Sequence, residues 1–443
     1  LDHDIETQTE TLKKEVSKML VSKVENPLIK VDLIDSISRL GVNYHFEHEI
    51  DEVMQQIHKN YVVNIWGPKD GKITIEANLC TLAVLFRLLR QHGFHVSPFL
   101  LNVDSNYFSI LWLLNKTLVV FNKFKDVQGN FSERLMSDVE GMLCLYEASY
   151  MMVLGEDILE EASTHLKSIS TILSPFLAVQ VNHSLRQSLH KNLPRLEARR
   201  YISIYEQDPY HNEILLTLAK LNFNKLQNLH KKEFGNICKW VSSKLPYVRD
   251  RIVAYFEPQY SQARRIFMKV LAITIIIDDM YDAYGTIGEL ELLTEAIERW
   301  DISCLDDLTE SMKLPYKLLI NLYEEIEQEM MKERRTNCIN YIQSLYIYYN
   351  LVRANMTEAR WLNNNYKPTT KNEYLHTSTI SCCCSLMAIT SYIGMGDIAT
   401  ENIFKWATNE PKILKATSIV CRLMDDIVSN ELLKLLLIDP VPI

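Results

Sequence analysis

Apolar residues recur three and four positions apart along most of the chain, the spacing of one face of an α-helix. Leu12 to Leu20 (LKKEVSKML), Ile50 to Ile57, Leu215 to Leu229 and Leu318 to Met331 all carry it. Alternating β-branched runs closed by Gly or Asn-Gly are nearly absent, so hairpins have no support. The pattern predicts an all-α protein. The polar stretch Tyr205 to Asn212 (YEQDPYHN), with Pro209 inside it, interrupts the periodicity. It predicts a junction between two helical domains, 1–207 and 213–443. No short-period repeat of the solenoid kind is present. The most apolar stretch, Phe99 to Phe121, is broken by Asn102, Asp104, Asn106 and Lys116. No run reaches the roughly 18 residues of a membrane span.

Composition narrows the picture. A chain of 443 residues can bury a large core in two or three domains. Gly stands at 12 of 443, under half the usual share of about 7%, against collagen-like and Gly-rich disordered chains. Neither G-x-x-x-x-G-K-[ST] nor G-x-G-x-x-G occurs, so the glycine-loop routes to phosphate binding are unsupported. A net charge of -9 argues against a nucleic-acid protein, which needs a basic face. Small anionic substrates stay open, since they need only a local basic patch. The 9 Cys are an odd number without a C-x-x-C pair, which predicts free thiols in a reducing compartment. No secretory signal peptide is visible, and the chain begins with Leu1, which leaves an earlier N-terminus open.

Three clusters carry candidate chemistry. The first is Asp278-Asp279-Met280-Tyr281-Asp282, directly after the apolar run Val270 to Ile277 (VLAITIII), which predicts a buried helix. On a helix Asp278 and Asp282 share a face, with Asp279 turned away. Two carboxylates at a buried helix end repel and are costly to desolvate. Mg²⁺, a hard cation that keeps waters and bridges to phosphate, relieves both costs. A solvated helix end with three surface acids is the competing reading. The second cluster is Arg422-Leu423-Met424-Asp425-Asp426-Ile427-Val428-Ser429, where Asp425 and Ser429 share a face and Arg422 lies one turn earlier. It reads as a second group of metal ligands or as a structural cap. The third is Arg249-Asp250-Arg251, a bidentate grip for diphosphate or an exposed ion-pair group. Together they suggest a metal- and Arg-lined mouth over apolar helices, able to remove diphosphate and hold the resulting cation in a dry aromatic cavity.

At these residues the sequence resembles the plant terpene synthase family, in its sesquiterpene branch (germacrene- and cadinene-synthase-like). Ile277 to Thr286 matches the aspartate-rich motif, Arg249-Asp250-Arg251 the R-x-R, and Arg422 to Ser429 the start of the second metal motif. Arg39 to Val42, Arg87 to Gly93, Leu193 to Arg199 and Phe256 to Tyr260 are also family-like. The resemblance spans about residues 8 to 430. It implies a C-terminal catalytic domain of the class I terpenoid synthase fold and an N-terminal helical barrel without catalysis, consistent with the absent D-x-D-D motif. It implies Asp278 and Asp282 as metal ligands with Asp279 supporting, and Asp425 and Ser429 as ligands of a third Mg²⁺, with Mn²⁺ as a substitute. Arg249, Arg251 and Arg422 are then the diphosphate contacts. Glu358 matches a Glu near the metal waters, and Ser381, Cys382 and Cys383 a polar helix break. The implied protein is a cytoplasmic monomer that takes farnesyl diphosphate, without nucleic acid or membrane span.

Five departures accompany the resemblance. The family's N-terminal Arg/Pro and Trp segment is missing. Phe99 to Val119 reads as an insertion resembling translated intron. Several residues, including a Trp, are missing between Arg251 and Phe256. Leu433 stands where the second metal motif has Glu, and Glu431 falls on the wrong face. After Ser429, Leu432 to Ile443 reads as the family's last residues joined on directly, so helices that wall the pocket are expected to be absent and apolar faces uncovered. Three alternatives follow: a catalytically impaired remnant, a monoterpene synthase using geranyl diphosphate, and, disfavoured by the single D-D-x-x-D, a chain-elongating prenyltransferase.

Overall fold

The computed structural model describes residues 2–24, 28–59, 78–94, 138–153, 175–244, 255–333 and 346–438. Among them every regular element is helical, as the 3.6-residue periodicity predicts. The chain divides into two compact units, Leu1–Gln227 and Asn228–Ile443.

The first unit contains α1 (Asp2–Val21), α2 (Ile29–Arg39), α3 (Glu47–Ile57), α4 (Leu79–Gln91), α5 (Val139–Ser149), α6 (Pro175–Arg186), α7 (Pro194–Gln207) and the start of α8 (Glu213–Lys244). The periodic apolar positions become its core: Leu20, Ile34, Phe46, Met54, Phe86 and Leu145 are almost fully buried. Polar groups drawn inside are paired. Arg39 Nη2 donates to Glu197 Oε1 at 2.9 Å, and its guanidinium lies 4.0 Å from the centre of the Tyr201 ring. Arg87 pairs with Asp35. The stretch 205–212 forms the turn between α7 and α8, where Asn212 Oδ1 accepts from the Leu215 amide at 3.0 Å. The expectation of free thiols throughout is corrected here. Cys80 on α4 and Cys144 on α5 form a disulfide with Cα atoms 5.1 Å apart. The two helices pack side by side, and a pairing across 64 residues leaves no trace in local spacing. The other described cysteines are free.

The second unit continues with α9 (Ser261–Asp279), α10 (Ile287–Arg299), α11 (Glu310–Lys332), α12 (Tyr346–Asn363), α13 (Lys371–Ser381), α14 (Cys384–Ile393), α15 (Glu401–Thr408) and α16 (Lys412–Ile438). The apolar run of α9 is buried on nearly every side, because α11 and α14 both pack on it. Gly394, at the end of α14, makes one of these approaches possible. A Cβ there would stand 2.4 Å from the backbone of Ala263. Aromatic edges meet faces in the core, with Trp300 5.2 Å from Tyr323 and Tyr348 6.1 Å from Tyr323, between ring centres. Along α16 the apolar side chains of Val420, Met424, Ile427 and Val428 remain more than half exposed, so that helix shows solvent an apolar face. No helix among the described residues is long and apolar enough to cross a membrane.

Candidate active site

The acidic residues predicted from the sequence lie at the end of α9 and on the helices around it. Asp278 and Asp279 are the last two residues of α9, and Met280–Tyr284 continues as a π-helical turn that carries Asp282. Such turns widen the helix locally and are frequent at functional sites. Asp279 and Asp282 are exposed, whereas Asp278 is half-buried. Burial, then the negative charges of Asp282, Asp279 and Glu358, push the Asp278 carboxyl up to about 7. A hydrogen bond from Asn355 Nδ2 to Asp278 Oδ1, at 3.1 Å, works the other way. Asp282 is likewise raised, by burial and then Asp279, against the lowering influence of Arg422.

α12 presents a matching series to this edge. Tyr348 Oη lies 3.5 Å from Thr274 Oγ1, Asn355 bonds Asp278, and Glu358 is within electrostatic reach of Asp282. Burial raises Glu358 as well, while its hydrogen bond with Ser381 and the charge of Arg422 lower it. α13 ends at Ser381, Cys383 takes a left-handed conformation (φ 53°), and α14 begins at Cys384. The chain thus breaks at the place the resemblance gives for a polar helix break.

α16 supplies the opposite wall, packed on α13 and α14. Arg422 donates to Asp425 Oδ2 through Nη2 at 2.8 Å and to Asp426 Oδ1 through Nε at 2.8 Å. Asp426 also accepts from Tyr374 Oη at 2.7 Å. Both Arg422 and Asp425 act electrostatically on Asp282. The fold therefore brings the first and second clusters together: Asp278, Asp282, Glu358, Arg422 and Asp425 share one electrostatic neighbourhood. Ser429 lies further along α16, with its side chain outside the described set, and Arg249 and Arg251 lie outside the described residues. Asn355 and Tyr374 were not found by sequence reasoning. Their signal was positional: Asn355 sits one turn before Glu358 and interrupts an apolar surround of Val352, Ala354 and Met356.

The donor set fits a hard divalent cation. The acidic groups are oxygen ligands held close enough to raise one another, with Arg422 already engaged by its own carboxylates. Among the described residues no three His, Cys, Asp or Glu side chains are gathered tightly enough to chelate one ion. Mg²⁺ does not require that, since it is held by one or two carboxylates with waters and substrate phosphate. Beside the site, a groove of about 960 Å³ runs between α12, α13 and α16, lined by residues such as Arg353, His376 and Ser418. It holds none of the acidic group.

Comparison with known proteins identifies the family. The family model of the terpene synthase N-terminal domain matches residues 2–106 and 117–185. The model of the terpene synthase family metal binding domain matches 239–433. The unmatched residues 107–116 fall within the segment 99–119 read above as an insertion. (-)-Germacrene D synthase of Vitis vinifera is 46% identical over 447 residues, which cover 97% of this chain and 74% of that protein. (+)-delta-Cadinene synthase isozyme XC14 of Gossypium arboreum is 42% identical, with 97% and 75% covered. The isoprene synthase of grey poplar leaves (Populus x canescens), solved with three Mg²⁺ ions and dimethylallyl-S-thiolodiphosphate, matches with a TM-score of 0.80. It is 31% identical over 96% of this chain and 79% of its own. The chain belongs to the terpene synthase family, in the branch of the plant sesquiterpene synthases.

Proposed function

We propose that this chain is a Mg²⁺-dependent sesquiterpene synthase that ionises farnesyl diphosphate and cyclises the resulting cation, releasing diphosphate. The observation that carries the reading is the meeting of Asp278 and Asp282 with Arg422 and Asp425 across one site. In this reading Asp278, Asp282, Asp425 and Ser429 hold the metal ions. When bound, Mg²⁺, or Mn²⁺ in its place, neutralises the charge developing on the departing diphosphate. Arg422, with Arg249 and Arg251, binds the diphosphate oxygens. Glu358 orients waters near the metal, and the helix break at Cys382 and Cys383 turns backbone oxygens toward the cation. The N-terminal domain, 1–207, contributes no catalytic residue, and 213–443 forms the catalytic one. The protein works as a cytosolic monomer.

The test is incubation of the purified chain with farnesyl diphosphate and Mg²⁺, with product analysis by gas chromatography and mass spectrometry. A cyclic sesquiterpene that disappears with chelator or in Asp278→Ala supports the reading. Full turnover in Asp278→Ala refutes the metal assignment, and a preference for geranyl diphosphate refutes the substrate. A second reading, a chain that binds metal and diphosphate weakly and turns over little, draws on Leu433 and on the exposed apolar face of α16. Inorganic diphosphate binding without product formation would favour it.

A further inference from the structure

Asn355 is 3% exposed, yet only half of its amide is used. Its Nδ2 donates to Asp278 Oδ1 at 3.1 Å, while its Oδ1 is buried with no hydrogen-bond partner among the described residues. The amide orientation follows from its neighbour: turning it over would set a carbonyl oxygen against a carboxylate oxygen. A buried amide carbonyl without a donor is costly, and native structures contain few. A leucine has nearly the same shape and would carry no such cost. The position therefore asks for a donor that the protein does not supply.

We propose that Asn355 is a positioning residue of the metal site, with two functions in one amide. Its Nδ2–H fixes one oxygen of Asp278 and leaves the other directed to the cation. Its Oδ1 accepts a hydrogen bond from a water on that cation. The inference rests on the metal reading above. Water on a divalent ion is a strong donor, because the metal charge polarises its O–H bonds. Mg²⁺ keeps several such waters when protein carboxylates bind it. Outer partners of this kind orient ligands, and their loss typically costs about 10–100-fold in metal affinity.

The experiment titrates the full chain with Mn²⁺, reading free Mn²⁺ by its paramagnetic resonance signal, for the parent, Asp278→Asn, Asn355→Leu and Asn355→Asp. Expected are a loss of at least about tenfold in Asn355→Leu and a clearly smaller loss in Asn355→Asp, which keeps the acceptor but gives up the donor to Asp278. The Asp variant keeps the acceptor and adds negative charge that the ion offsets, whereas a residue needed only as a donor to Asp278 would not be rescued by it. Weakening in Asn355→Asp equal to that in Asn355→Leu overturns the acceptor function. Parent-like affinity in Asn355→Leu, with Asp278→Asn weakened, overturns the inference and spares the metal site. Parent-like affinity in Asp278→Asn overturns the metal site itself. Should Asn355→Leu fail to fold by circular dichroism, Asn355→Ala, which also removes both groups of the amide, takes its place in the comparison.

Discussion

Replacing Asp278 by asparagine should stabilise the metal-free protein while weakening its response to Mg²⁺. In the folded chain the Asp278 carboxyl titrates at about 7, well above the usual carboxylate range, mainly through burial and then through Asp282, Asp279 and Glu358. A tenfold change in proton affinity corresponds to about 1.4 kcal/mol, so holding this group ionised costs the native state about 4 kcal/mol relative to the unfolded chain. Below about pH 4 both states carry the proton and there is no penalty. As pH rises from about 4 to about 7 the unfolded chain releases the proton first, and native stability falls; above about 7 the penalty is complete. Asparagine keeps the volume and removes the charge. For a unit of roughly two hundred residues the expected gain at pH 8, with chelator present, is on the order of 10 °C in Tm. At pH 4.5 the difference should shrink to about 1 kcal/mol. Saturating Mg²⁺ should raise the parent's Tm and raise the variant's by much less. The measurement is thermal unfolding of both proteins at the two pH values, with chelator and with Mg²⁺. A variant no more stable than the parent at pH 8, or stabilised by Mg²⁺ to the same extent, refutes the reasoning.

Three further outcomes are expected. Arg264 is buried and donates to Glu233 Oε1 and Oε2 at 2.9 Å and to the Glu257 carbonyl. Arg264→Ala should therefore cost about 3–5 kcal/mol in denaturant unfolding, because the largely buried Glu233 loses its cationic partner and keeps only the Ser261 hydroxyl as a hydrogen-bond donor. Gly394→Ala should cost about 1–3 kcal/mol or more in the same assay, since its Cβ would meet the Ala263 backbone rather than a side chain that can move. Converting Val420, Met424 and Ile427 to serine should reduce non-specific aggregation at high concentration, read by light scattering, with little change in thermal stability, because these side chains are already exposed.

The fold class was readable because helical periodicity is local: the runs at 12–20, 50–57, 215–229 and 318–331 fall within α1, α3, α8 and α11. The acidic clusters were readable for the same reason, each being a contiguous motif. What escaped was non-local. Cys80 meets Cys144 only because α4 packs on α5. Asn355 gains meaning only when α12 is set against Asp278. A regular helix over 278–282 was assumed, whereas the chain widens into a π-helical turn after Asp279. Sequence spacing cannot register that change, which depends on how the end of α9 is packed.

The facing pairs of α9 and α12 have a consequence beyond their separate contacts. From Thr274 and Tyr348 through Asp278 and Asn355 to Asp282 and Glu358, the surroundings pass from hydroxyls in an apolar core to clustered carboxylates. Eight residues of helix rise about 12 Å, so this is a steep gradient of solvation built into two rigid rods. One end behaves as a medium for hydrocarbon and the other as a medium for salt. A molecule with one charged and one oily terminus would be sorted end for end on such a gradient before any feature of its shape was recognised. Orientation is then a property of the helix pair as a whole, while selection among tails of different length or branching is left to the few side chains at the oily end.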